Sequence, residues 1–162
     1  MSSLALRSSS PEETRRLAAA LAGVLEAGDV VALCGELGAG KTCFVQGLAR
    51  GLGVREAVTS PTFVLMKLYE GRLPLVHCDV YRLATLADVH DLGEDVMAPD
   101  AVTVIEWGDS VRSVLPDERL EVDLTHGDDD QRGLALRATG HAWARRCDQL
   151  AQVCDPWRRP SC

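Results

Sequence analysis

The chain has 162 residues, of which 46% are hydrophobic, 25% charged and only 4% aromatic, with a formal net charge of −7. That length and balance fit one compact domain and exclude a disordered or fibrous chain. The acidic balance argues against a broad electrostatic grip on nucleic acid, which needs a basic face to displace counterions, so any RNA connection runs through a partner. No stretch reaches the roughly 18 apolar residues of a membrane span. The N-terminal MSSLALRSSS lacks the apolar core of a signal peptide. A cytoplasmic protein with no membrane contact is the expectation. The six cysteines, at 34, 43, 78, 147, 154 and 162, form no C-x-x-C pair and no cluster at metal-ligand spacing, and read as free thiols.

Leu4 to Arg7 alternates as a short strand does. Ser10-Pro11-Glu12-Glu13 is a helix start, with Ser10 as cap, Pro11 at the first helical position and Glu13 completing a capping box. The stripe Leu17, Ala20, Leu21, Val24 and Leu25 continues that helix to a stop at Gly28. Val30 to Cys34 is a continuous apolar run, the pattern of a strand covered on both faces in a parallel sheet. A glycine-rich loop follows, then a helix from Cys43 to Leu52 closed by Gly53. Thr62 to Tyr69 and Leu73 to Tyr81 flank Glu70-Gly71-Arg72 as a hairpin. A helix is expected from about Thr85 to Leu92, and a second buried strand from Ala101 to Trp107. Leu120 to Leu124 and Gly133 to Ala138 form another hairpin around the acidic turn His126 to Asp130. His141 to Val153 can form a helix. The expected organisation is a single nucleotide-binding domain over 1–155, with 156–162 as a disordered tail.

Gly35-Glu36-Leu37-Gly38-Ala39-Gly40-Lys41-Thr42 satisfies G-x-x-x-x-G-K-[ST] in full, between an apolar strand and a helix as that motif requires. Glycines permit the turn and the close approach of backbone N–H groups to phosphates. The helix that follows adds its positive N-terminal end. Lys41 supplies a mobile charge to the β- and γ-phosphates, and the Thr42 hydroxyl an oxygen ligand to Mg²⁺. The pattern points to ATP with magnesium. Hydrolysis needs carboxylates as well. Glu106 ends the apolar run Val102 to Ile105 in a Walker-B-like arrangement, and Asp79 closes the run Leu75 to Cys78. Strand-end carboxylates point into the crevice where α/β sheets bind ligands. Position alone leaves a solvated acid at a strand terminus as the other reading of either residue.

Four blocks in order carry a resemblance: Gly35 to Thr42, Ser60-Pro61-Thr62-Phe63, His77-Cys78-Asp79-Val80-Tyr81-Arg82-Leu83, and Ile105-Glu106-Trp107. With them the chain resembles the TsaE (YjeE) family of bacterial ATPases that assist threonylcarbamoyladenosine modification of tRNA, over roughly residues 10 to 125. The resemblance implies a P-loop α/β fold with a mainly parallel central sheet, antiparallel edge strands and flanking helices. It implies Mg²⁺ on Thr42 and Glu106, and Asp79, with Lys41, as needed for hydrolysis. It also implies a switch-like segment around Thr62 near the γ-phosphate, Trp107 close to the nucleotide, and a base near Glu12 to Thr14. The implied partners are TsaB and TsaD, whose assembly stimulates a weak ATPase, with tRNA met only through that complex. In one respect the chain departs from the family: Cys43 follows Thr42 where relatives continue with a second threonine, which leaves the Cys43 backbone N–H for the α-phosphate. The tail from Gly140 onward matches nothing in the family pattern. Two other readings compete, a small P-loop kinase acting on a small-molecule acceptor and a module that holds ATP without turnover. The acidic stretch Leu83 to Pro99 disfavours the arginine-bearing lid a kinase needs.

Overall fold

The computed structural model describes residues 2–36, 38–59, 66–79, 98–106, 112, 113 and 115–160. The strands are β1 (Ser2–Ser8), β2 (Val30–Gly35), β3 (Met66–Tyr69), β4 (Leu75–Asp79), β5 (Val102–Glu106), β6 (Arg119–His126) and β7 (Arg132–Thr139). The helices are α1 (Pro11–Ala22), α2 (Lys41–Gly51), α3 (His141–Ala144) and α4 (Cys147–Cys154), and a 3-10 turn covers Asp155–Trp157. One seven-stranded sheet runs in the order β1-β7-β6-β2-β5-β4-β3. Its centre is parallel, with β2 between β6 and β5 and β4 beyond β5. The edges are antiparallel: β3 on β4, β7 on β6, and β1 on β7. The described sheet thus has the expected parallel centre and antiparallel margins.

The apolar runs explain the layering. Val31 and Leu33 of β2 face a large core with Leu17 and Leu21 of α1 and Phe44, Val45 and Leu48 of α2, while Val30 and Ala32 face a second cluster with Val76, Cys78 and Ile105. A strand buried on both faces has no polar alternation to show, as its sequence indicated. The two long helices approach closely because α2 presents Gly47 and Gly51 to α1. A Cβ at Gly47 would lie 2.8 Å from Ala18 Cβ, and one at Gly51 2.6 Å from Ala22 Cβ. No helix among the described residues is long and apolar enough to cross a membrane.

The helix start is built as its sequence reads. Ser10 Oγ accepts the Glu13 N–H at 3.1 Å, while the Glu13 carboxylate reaches back to the Ser9 N–H at 3.2 Å. The end differs: α1 stops at Ala22 rather than at Gly28, and Val24 and Leu25 are buried from a turn instead of from a fourth helical turn. Gly28, at φ +92°, serves the entry to β2 and donates its N–H to Ala101 O.

The C-terminal segment also differs from expectation. Instead of one helix over 141–153, α3 and α4 are separated at Arg145 and Arg146. The cause is Arg146. Its guanidinium forks onto the Asp29 carboxylate at 2.7 and 2.9 Å, donates to Val24 O at 2.9 Å and stacks on Trp143 at 4.1 Å. The Asp29 carboxylate holds this guanidinium charged more firmly than usual. Where a disordered tail was expected from residue 156, the chain makes the 3-10 turn, half-buries Trp157 and runs Arg158 against Leu6 of β1. An available sheet edge and an apolar core margin account for that order.

Two outcomes follow. Gly47→Ala should lower unfolding free energy by about 1–3 kcal/mol through overpacking, read by urea denaturation. Arg146→Ala leaves the Asp29 carboxylate buried beside one N–H and should cost about 3 kcal/mol. A midpoint equal to wild type in either variant would refute the packing account.

Candidate active site

The site is assembled where β2 ends. Gly35 has φ +143°, and a Cβ there would sit 2.6 Å from Leu124 O of the neighbouring β6, so only glycine lets the chain leave the sheet this way. Gly40, at φ +102°, caps α2 in the left-handed region and turns the loop into the helix. Lys41 opens α2 and is buried; its Nζ donates to Gly35 O at 2.7 Å and Glu36 O at 3.1 Å, bracing the loop across its mouth. Thr42 follows on the same first turn, and its Oγ1 donates to Glu106 Oε1 at 3.5 Å.

Glu106 is 3% exposed. It ends β5 beside Leu33 of β2 and opposite Asp79 of β4 in the ladder. Its second oxygen, Oε2, lies 2.6 Å from His77 Nε2, and His77 is fully buried. Asp79 is half-buried and, two residues from His77, shares its face of the sheet. Cys78 between them points to the opposite face, where burial, with the charges of Asp79 and Glu106, pushes its thiol up to about 12.

Cys43 lies one residue further into α2, where Arg15 Nη2 donates to its Sγ at 3.6 Å. Arg15 also donates to Gln46 Oε1 at 3.1 Å, and Gln46 donates to Val58 O at 3.1 Å, tying α1, α2 and the segment before residue 60 together. On the β6 side a cavity of about 400 Å³ is lined by Gly35, Glu36, Asp123, Leu124, Thr125 and His126. The His126 ring is 3.9 Å from where a Cβ on Gly38 would be.

The fold therefore gathers Gly35, Glu36, Gly38, Ala39, Gly40, Lys41, Thr42 and Cys43 into one turn, and brings Glu106 and Asp79 to the strand ends beside it. Leu37, Thr62 and Trp107, with Ser60, Pro61, Phe63, Tyr81, Arg82 and the helix expected from Thr85 to Leu92, lie outside the described residues. Thr14 is not open to a base: it is buried, and its hydroxyl is engaged with Ser8 Oγ at 2.7 Å and Ser10 O at 3.2 Å. Glu12 is paired with Arg50 at 2.9 Å. The contacts of two neighbours escaped the sequence reading. His77 gave one signal, its alternation with Asp79, but nothing local tied it to Glu106. His126 is brought to the loop by the β2–β6 pairing, which only strand order reveals.

The donor set is chemically coherent. Thr42 and Glu106 offer hard oxygens, suited to Mg²⁺ rather than to a soft metal. Among the described residues no three His, Cys, Asp or Glu side chains group as a metal cage. An ion here would complete its shell with water and phosphate, the usual habit of Mg²⁺.

A seven-stranded sheet, parallel at its centre, with a glycine-rich turn at the end of its middle strand and carboxylates on the adjoining strand ends, defines an α/β protein whose site lies at the carboxyl edge of the sheet. The family model for the threonylcarbamoyl adenosine biosynthesis protein TsaE matches residues 8–134. Proteins named tRNA threonylcarbamoyladenosine biosynthesis protein TsaE are similar over most of the chain. The Treponema pallidum protein is 50% identical over 118 residues, covering 72% of this chain and 87% of its own. The Bacillus subtilis protein is 39% identical over 154 residues, covering 94% and 96%. The crystal structure of Bacillus subtilis YdiB superposes with a TM-score of 0.80 at 36% identity, covering 93% of this chain and 95% of that one. The chain belongs to the TsaE family.

Burial should silence two thiols. Cys78 and Cys154, raised to about 12 and about 11, should alkylate at pH 8 at least about tenfold more slowly than half-buried Cys147, mapped by mass spectrometry. Equal labelling of Cys78 and Cys147 would contradict the burial described.

Proposed function

We propose that the chain is an Mg²⁺-dependent ATPase that serves tRNA threonylcarbamoyladenosine biosynthesis as a nucleotide-gated partner of TsaB and TsaD. The observation that carries the reading is the convergence of Thr42 Oγ1 and Glu106 Oε1 at 3.5 Å beside the loop that Lys41 braces. Family membership and the names of the relatives supply the pathway. The partners follow from the resemblance in the sequence.

On this reading the loop from Gly35 to Thr42 wraps the phosphates with its backbone N–H groups. Lys41 exchanges Gly35 O and Glu36 O for β- and γ-phosphate oxygens. Thr42 and Glu106 hold Mg²⁺, which when bound neutralises charge building on the phosphates. Asp79, opposite Glu106 in the ladder, orients the attacking water and accepts its proton as the water oxygen bonds the γ-phosphorus and the bond to the ADP oxygen breaks, giving ADP and phosphate. The cavity beside Gly35 and His126 supports placing the nucleoside on the β6 side. Thr62 and Trp107 join the nucleotide contacts by family resemblance.

The deciding experiment is Mg²⁺-dependent ATP hydrolysis by the purified chain, alone and with TsaB and TsaD from the same organism. Strong stimulation by the pair, lost in Lys41→Ala, is expected. Asp79→Ala should retain ATP binding and lower turnover roughly 100-fold. Glu106→Ala should lose the magnesium dependence. Absence of stimulation would overturn the partnership, and phosphate appearing on an added small-molecule acceptor rather than on water would establish the kinase reading instead.

A further inference from the structure

His77 occupies a position where the fold alone has no use for a histidine. It sits mid-strand in β4, between buried Val76 and Cys78 and opposite buried Val104 of β5. The surrounding pattern calls for an apolar side chain. The imidazole is fully buried, and its Nδ1 has no hydrogen-bond partner among the described residues. An orphaned buried nitrogen destabilises a fold, because its lost hydration is not replaced. What the ring does supply is Nε2, 2.6 Å from Glu106 Oε2. An ionised carboxylate only accepts, so Nε2 carries the donated proton.

That bond divides the work of the two carboxylate oxygens. Oε2 is tied to His77, and Oε1 is left facing Thr42 Oγ1. Thr42 at 3.5 Å is too long a contact to hold the carboxylate alone. Asp79, opposite Glu106 in the ladder, is a like charge that destabilises the pair rather than holding it. We propose that His77 is the positioning residue of Glu106, donating Nε2–H to Oε2 so that Oε1 is presented, beside Thr42, to the magnesium of bound nucleotide. The inference rests on the Mg–ATP reading above. Carboxylates that ligate metals are themselves oriented by hydrogen bonds of this kind, and loss of such a bond typically weakens metal affinity about 10–100-fold.

The test measures the dissociation constant of a fluorescent ATP analogue for the full chain, in excess Mg²⁺ and in EDTA. The gain from Mg²⁺ is the readout, because a merely structural defect lowers both values together. His77→Asn places an amide only as far as Nδ1 and should reduce the Mg²⁺-dependent gain about tenfold or more, with binding in EDTA within about twofold of wild type. His77→Gln carries an amide nitrogen to the place of Nε2 and should restore most of the gain. In a Glu106→Gln background, His77→Asn should change nothing further. His77→Leu, which removes the ring polarity altogether, is expected to follow His77→Asn, and the Asn–Gln contrast decides even where the Leu variant does not fold. A wild-type affinity that ignores Mg²⁺ overturns the metal reading and this inference with it. A wild type that responds, with His77→Asn responding equally, overturns the inference alone. So does equal loss in EDTA and Mg²⁺, or a Gln variant no better than Asn.

Discussion

Burying the carboxylate of Glu106 at the end of a central strand costs several kcal/mol unless its oxygens are matched. The match comes from two other elements, His77 on β4 and Thr42 on the first turn of α2. Each must arrive in one register. The β4–β5 ladder sets Asp79 opposite Glu106 and places His77 within reach of it, and the β2–β5 ladder sets Leu33 beside Glu106, two residues before the loop. A one-residue slip of β4 would turn His77 and Asp79 to the other face and bring Cys78 to the carboxylate. The geometry of the site therefore depends on the register of the parallel centre, and that register is held by the apolar runs of β2, β4 and β5.

The same dependence reaches outward. The start of α2 is fixed by how closely α2 lies on α1, which Gly47 and Gly51 set. The entry to β2 is fixed by Asp29, clamped by Arg146 from 117 residues away. Asp29 also accepts the Glu26 N–H at 2.7 Å, so the clamp organises the turn as well as the tail. Both devices act on the β2–loop–α2 unit from its two ends.

What could be read in advance was local. The loop, the Ser10 cap and the apolar runs declare themselves because glycine spacing, a hydroxyl at a helix start and a run of Val and Leu each act within a few residues. The helix end misled because Val24 and Leu25 prolong the α1 stripe yet are buried by a turn, and burial rather than helicity is what a stripe reports. The Arg146–Asp29 clamp and the His77–Glu106 bond were invisible for a different reason. Each joins residues distant in sequence, and only strand order and register bring them together. The roles proposed for Asp79 and Glu106 rest on the likeness to TsaE proteins, because spacing alone left both open between ligand and solvated acid.

Electrostatics makes the orientation of Glu106 matter more than its charge. The described site sets Asp79 and Glu106 opposite each other at neighbouring strand ends, and on the Mg–ATP reading a triphosphate adds more negative charge. Without a cation that assembly repels itself, at an effective dielectric well below that of water. On the Mg–ATP reading, metal and nucleotide must therefore bind as coupled ligands, each supplying what the other lacks. On that reading Glu106 Oε1, which faces Thr42 at the start of α2 from the end of β5, would carry a coupling of that kind. Turned away, the same carboxylate would only add to the repulsion. On that reading the orientation of Glu106, rather than the acid itself, is what would convert a buried liability into a metal ligand.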